Sequence, residues 1–90
     1  MDEKIYVRVS VCFGPDGKMR PEQVLWDDGR VFSVDRLLDV RPAASLRCGG
    51  QGDRYTVRIG GRETYLWFER SEALSGTLVG RWFVEPRQPS

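Results

Sequence analysis

Histidine is absent from this chain, cysteine occurs twice and lysine twice, and apolar residues never form a long run. Each shortage closes a class of function. Without histidine the commonest general base is missing. Cys12 and Cys48 show no CxxC or Cys/His spacing, so neither a zinc site nor a disulfide framework is expected, and both thiols should be reduced. No stretch approaches the roughly 18 apolar residues of a membrane span, so no membrane role is expected. The opening MDEKIYVRV places acids where a secretory signal needs bases, which predicts a cytoplasmic protein.

Other routes to catalysis are equally thin. The acid pairs are Asp2-Glu3, which is terminal, and Asp27-Asp28, which sits where a turn wants Asp for conformational reasons. Cys48 lies beside Arg47, which would lower a thiol pKa, but no histidine completes a cysteine nucleophile. The glycine-rich stretch Cys48 to Gly52 lacks the spacing and the lysine of a phosphate-binding P-loop and precedes a strand pattern, where that motif precedes a helix. Gly49-Gly50-Gln51 resembles the tripeptide by which peptide-chain release factors hydrolyse peptidyl-tRNA, without that family's basic context. The residues therefore predict no catalytic group, no metal, no cofactor and no enzyme.

What the chain does have is alternation. Asp53 to Phe68, DRYTVRIGGRETYLWF, reads as two strands joined by Gly60-Gly61, a pair that accepts the positive φ of a tight primed turn. That turn sets Ile59 opposite Arg62, Val57 opposite Thr64 and Tyr55 opposite Leu66 on one face. Arg58 with Glu63, Thr56 with Tyr65 and Arg54 with Trp67 share the other. The first set is mostly apolar and wants a core.

Lys4 to Phe13 alternates in the same way, with Ile5, Val7, Val9, Val11 and Phe13 against Lys4, Tyr6, Arg8, Ser10 and Cys12. Gly14-Pro15-Asp16-Gly17 and Asp27-Asp28-Gly29-Arg30 are turn signals around a strand at Pro21 to Trp26. The second turn brings Val24 to Trp26 beside Val31 to Val34. From Val31 the apolar pattern fits neither period, and a bend near Asp35-Arg36, or a helical turn over Val34 to Leu38, would reconcile it. Pro42 is expected to end this element, Ala43 to Gly52 to form a loop, Glu69 to Gly76 a short helical turn capped by Ser71, and Arg81 to Glu85 a last strand.

These 90 residues make one domain with a thin core, spanning residues 1–86 with a frayed tail at 87–90. The fold class expected is all-β: a small, mostly antiparallel six-stranded barrel, SH3-like, or a half-open roll, with at most one short helical turn. Val7, Val9, Val11, Phe32, Val57, Leu66, Phe68 and Phe83 should be buried.

The binding residues expected are Arg54, Arg58, Tyr65 and Trp67, because the turn register puts all four on one face. Aromatics interleaved with arginine serve protein hot spots and also stack single-stranded bases. The same four could instead form an Arg–Trp contact and an Arg58–Glu63 pair that only stiffen the sheet. The formal charge of +1 does not suit strong nonspecific binding to nucleic acid. Between residues 30 and 62, however, seven Arg stand against Asp35, Asp39 and Asp53. Twelve of the fourteen basic residues are Arg, suited to planar carboxylate or phosphate recognition, although a GC-rich genome gives the same bias.

Taken together, KIYVRVSVCFGPDG, WDDGRVFSVDRLLDVRPAASL, GGQGDRYTVRIGGRETYLWFE and GRWFVE resemble a family of short uncharacterised bacterial proteins, many from Firmicutes, whose genes sometimes lie near a Y-family translesion DNA polymerase. The resemblance implies a cytoplasmic accessory protein linked to DNA repair and carries no ligand or catalytic residue. The function expected is thus an interaction module for an unidentified protein partner. The alternative is a weak single-stranded nucleic-acid binder on the Arg/aromatic face. No oligomeric state follows from the sequence.

Overall fold

The computed structural model describes residues 4–44, 51–72 and 78–85, and they form strands and turns without a helix. The strands are β1 (Ile5–Phe13), β2 (Met19–Leu25), β3 (Val31–Ser33), β4 (Arg36–Ala44), β5 (Gln51–Ile59), β6 (Arg62–Glu72) and β7 (Leu78–Val84). They make one sheet in the order β3-β2-β1-β7-β6-β5-β4, antiparallel throughout.

The two ends of that sheet are consecutive in the chain, and this rolls it up. Val34 donates its N–H to the Glu22 carbonyl on β2 at 2.8 Å, and Asp35 donates to the Arg58 carbonyl on β5, also at 2.8 Å. Within one residue the chain passes from one end of the sheet to the other. The Asp35 carboxylate also accepts the Gly60 N–H at 2.9 Å, tying the β5–β6 turn to this corner. Beyond the corner β2 and β4 do not pair, and a cleft lined by Met19, Arg20, Leu37, Val40 and Tyr55 lies between them. The result is the half-open roll.

The turns form for the reasons their residues suggest. Gly17, Gly29, Gly60 and Gly61 take positive φ, and among the described residues no other does. Asp16 and Asp28 each accept the backbone N–H two residues on, from Lys18 and Arg30, at 3.0 Å. Those bonds hold both carboxyls below the ordinary range. Across Gly60-Gly61 the register is the expected one at every pair from Ile59–Arg62 to Arg54–Trp67.

The core lies on the concave face. Val57 and Leu66 are fully buried, and Tyr55 and Phe68 tilt against Trp82 with centroids at 4.9 and 5.0 Å. Val7, Val9, Val11, Phe32 and Phe68, all expected to be buried, pack against this cluster and are half-buried. Gly80 makes room for Phe68, whose ring would stand 2.5 Å from a Cβ placed there.

Several expectations need correction. Seven strands replace six, because the bend at Val34-Asp35 divides one run into β3 and β4. No helical turn occupies Val34 to Leu38; a register shift between Leu37 and Asp39 absorbs the irregular pattern instead. Pro42 does not end its element: it pairs with Asp53 inside β4, on the open edge of the sheet, where a missing N–H is tolerated. The ends of the expected Ala43 to Gly52 loop are strand instead, since Ala43 pairs with Gly52 and Ala44 with Gln51. Residues Glu69 to Glu72 extend β6 rather than starting a helical turn, and the rest of that segment lies outside the described residues. Strand β2 begins at Met19, and Pro21 is accommodated beside an irregularity opposite Ser10 and Val11. Strand β7 begins at Leu78. Phe83 is buried as expected; it packs on the face opposite the main cluster, where Trp82 takes the inward place. Cys48, Gly49, Gly50 and the tail at 87–90 lie outside the described residues.

Candidate functional site

Residues directly opposite in an antiparallel sheet share a face, so the pairings trace a row across the convex side. Tyr6 on β1 faces Phe83 on β7, Phe83 faces Trp67 on β6, Trp67 faces Arg54 on β5 and Arg54 faces Arg41 on β4. A row of aromatics thus runs into a row of arginines. Beside it lie Thr56–Tyr65, Arg58–Glu63 and Arg36–Arg58.

The aromatic half is built as tightly as a core. Phe83, 3% exposed, stacks on Trp67 with centroids 5.9 Å apart and planes 7° apart, and meets the edge of Tyr6 at 6.0 Å. The Lys4 ammonium stands 5.0 Å from the Phe83 centroid. Glu69, 8% exposed, binds Lys4 through one carboxylate oxygen, while the other accepts from the Tyr6 hydroxyl at 3.1 Å and from Arg81 at 3.0 Å. The hydrogen bond from Lys4 leads in holding the Glu69 carboxyl below its ordinary range; the bonds from Tyr6 and Arg81 assist, and burial opposes them.

The exposed rings of this face are Tyr65 at 48% and Tyr6 at 40%. Each already carries a guanidinium: Arg54 lies 4.6 Å from the Tyr65 centroid and Arg81 lies 4.3 Å from that of Tyr6. Tyr65 also meets Trp67 edge-on at 6.5 Å. Arg54 is half-buried, and its Nε finds no hydrogen-bond partner.

The structure therefore places Arg54, Tyr65 and Trp67 in one contiguous group. Arg58 shares their face but stands near the hairpin tip, 3.7 Å from Glu63 in an exposed pair. Trp67 belongs more to the packed layer than to the surface. Tyr6, Glu69, Arg81 and Lys4 complete the group and were not expected there. The signal for Tyr6 was its place on the polar side of the β1 alternation. For Glu69 it was the continuation of the Tyr65, Trp67 alternation past Phe68.

Among the described residues no cluster of three or more acidic, Cys or His groups could hold a metal. No helix there is long and apolar enough to cross a membrane. A smaller apolar cavity, lined by Trp26, Phe32, Leu66 and Val84, opens beside Glu85. No protein-family model, curated protein or solved structure matches the chain.

Proposed function

We propose that the chain is a non-enzymatic interaction module that docks an acidic protein surface on the convex face of its sheet. The observation that carries this reading is the pair of exposed tyrosines, Tyr6 and Tyr65, each held against an arginine over a rigid layer of Phe83, Trp67 and Glu69. Rigid aromatics with adjacent arginines are the residue types that dominate protein hot spots, and they lose little side-chain freedom on binding because they are already ordered. Arg36, Arg41, Arg54 and Arg58 make the adjoining half basic against Asp39 and Glu63, so the complementary surface is acidic. The family resemblance adds a setting, as an accessory of cytoplasmic DNA repair.

The same guanidinium placement weighs against the second reading. A single-strand binder offers open ring faces to successive bases, whereas each exposed tyrosine here has an arginine over one face. Weak phosphate contacts by the β4–β5 arginines are what remains of that reading.

Affinity capture from the source cytosol with the wild type, Tyr65→Ala and Arg54→Ala tests the proposal. The expected result is an acidic protein retained by the wild type and lost from both variants. Titration of a labelled oligothymidine supplies the contrary outcome. Binding that falls steeply with salt and also needs Tyr65 would overturn the protein reading in favour of nucleic acid.

A further inference from the structure

β4 is the last strand of the sheet, and the Gly60-Gly61 turn determines which of its backbone groups are free. A two-residue turn makes Ile59 and Arg62 a mutually hydrogen-bonded pair. The odd-numbered residues of β5 then direct N–H and C=O toward β6 and the even-numbered ones toward β4. Arg54 and Thr56 engage Arg41 and Asp39. Val40 and Pro42 therefore direct their backbone groups away from β5, which is why a proline fits there. Among the described residues no strand takes up the Val40 N–H and C=O, and Val40 is 43% exposed. The cleft between β2 and β4, about 590 Å³, leaves this edge approachable.

We propose that a second copy of the chain covers this edge, β4 against β4, about a two-fold axis through Val40. Val40 then faces Val40 of the second copy and exchanges N–H···O bonds with it. Asp39 faces Arg41 of the second copy, and Arg41 faces its Asp39. Both side chains already lie on one face, where Arg41 Nε reaches Asp39 Oδ2 at 2.6 Å within the strand.

Neighbouring registers lack this complementarity. An axis through Asp39 or Arg41 sets like charges opposite and uses residues whose backbone groups serve β5. An axis through Pro42 has no central N–H to exchange. Arginines and a proline on an edge discourage open-ended pairing, whereas the two-fold contact through Val40 closes on itself and sets unlike charges opposite.

Sedimentation equilibrium of the full chain, from about 10 μM to about 1 mM, tests the proposal. A dimer that weakens with salt is expected. Asp39→Arg and Arg41→Asp should each weaken it by about tenfold or more, since two unlike pairs become two like pairs. The double exchange Asp39→Arg with Arg41→Asp should return the constant to within about threefold of the wild type, because the pairs are restored in reverse. The exchange also preserves the pair within each strand, so it decides the matter if a single reversal perturbs folding. A wild type that stays monomeric at about 1 mM, reversals without effect, or an exchange that fails to recover the dimer overturns the proposal.

Discussion

The rings of Trp67 and Phe83 lie nearly parallel, 7° apart with centroids at 5.9 Å, on the side of the sheet that faces away from the core. Phe83 is as deeply buried there as Val24 is in the core, at 3% exposure. The middle of the sheet is therefore packed on both faces, with Tyr6, Lys4 and Glu69 closing the second layer. This makes the convex side a rigid platform.

Within that platform Trp67 and Tyr65 should behave differently. Trp67→Ala removes a half-buried ring from its stack on Phe83 and should cost roughly 2 to 4 kcal/mol, lowering the melting temperature by at least about 10 °C. Tyr65→Ala removes a ring that is 48% exposed together with its Arg54 contact, and should cost no more than about 1 kcal/mol. Thermal melts of the two variants check this. Equal losses would mean that the exposed ring is structural and that the proposed surface is not free to bind.

Glu69 gives the domain an acid limit. Because Lys4, Tyr6 and Arg81 hold its folded pKa below the ordinary 4.5, the folded state binds fewer protons than the unfolded state as pH falls past that value. The stabilisation is whole above about pH 4.5 and is lost as pH falls through the folded pKa. Glu69→Gln should therefore cost roughly 1.5 to 3 kcal/mol near neutrality, the range for hydrogen bonds to charged groups. The gap from the wild type should narrow on acidification. Denaturant midpoints measured at neutral and acidic pH check it, and a gap that holds constant or widens in acid contradicts the assignment.

How far such a site can be read from sequence depends on whether local chemistry or distant pairing decides each residue. The β5–β6 register was legible because two adjacent glycines leave a primed turn as the cheap solution, and the register follows from turn length alone. Arg54, Tyr65 and Trp67 came with it. Phe83 is buried as expected, but its face was not legible: Trp82-Phe83 offers two consecutive large aromatics, and only the pairing with Val7 and Phe68 puts Trp82 inward. Glu69 was hidden in a segment whose polar residues read as a helical cap, yet its partners come from β1 and β7. Pro42 read as a stop because the open edge that tolerates it exists only once the sheet order is known.

Gly80 should be intolerant of even one methyl group. A Cβ there would stand 2.5 Å from Phe68 Cζ and 2.9 Å from Cε1, and the ring cannot retreat freely because Trp82 lies 5.0 Å away on the same face. Gly80→Ala should cost about 1 to 3 kcal/mol by overpacking. Adding Phe68→Leu should recover part of that loss, which a double-mutant cycle would detect as coupling. Strict additivity would place the two residues out of contact.

The turn that sets the register is the last test, because both the binding face and the free edge of β4 depend on it. Gly60 and Gly61 have φ of 58° and 78°, and a Cβ at either would meet nothing within 4 Å. Space is therefore not what selects glycine at these positions; backbone conformation is. β-Branched residues resist positive φ strongly, whereas asparagine tolerates the left-handed region. Replacing both glycines by Val should destabilise the domain by roughly 2 kcal/mol or more, and Gly60→Asn alone should change stability by less than about 1 kcal/mol. Chemical denaturation separates the two, with a lowered midpoint and an unchanged slope expected for the valine pair. If the asparagine variant is as damaged as the valine pair, strain is not the cause and the turn is held by something other than its φ angles. If neither is damaged, the hairpin does not need a primed turn, and the alternation that frees Val40 and groups Arg54 with Trp67 loses its basis.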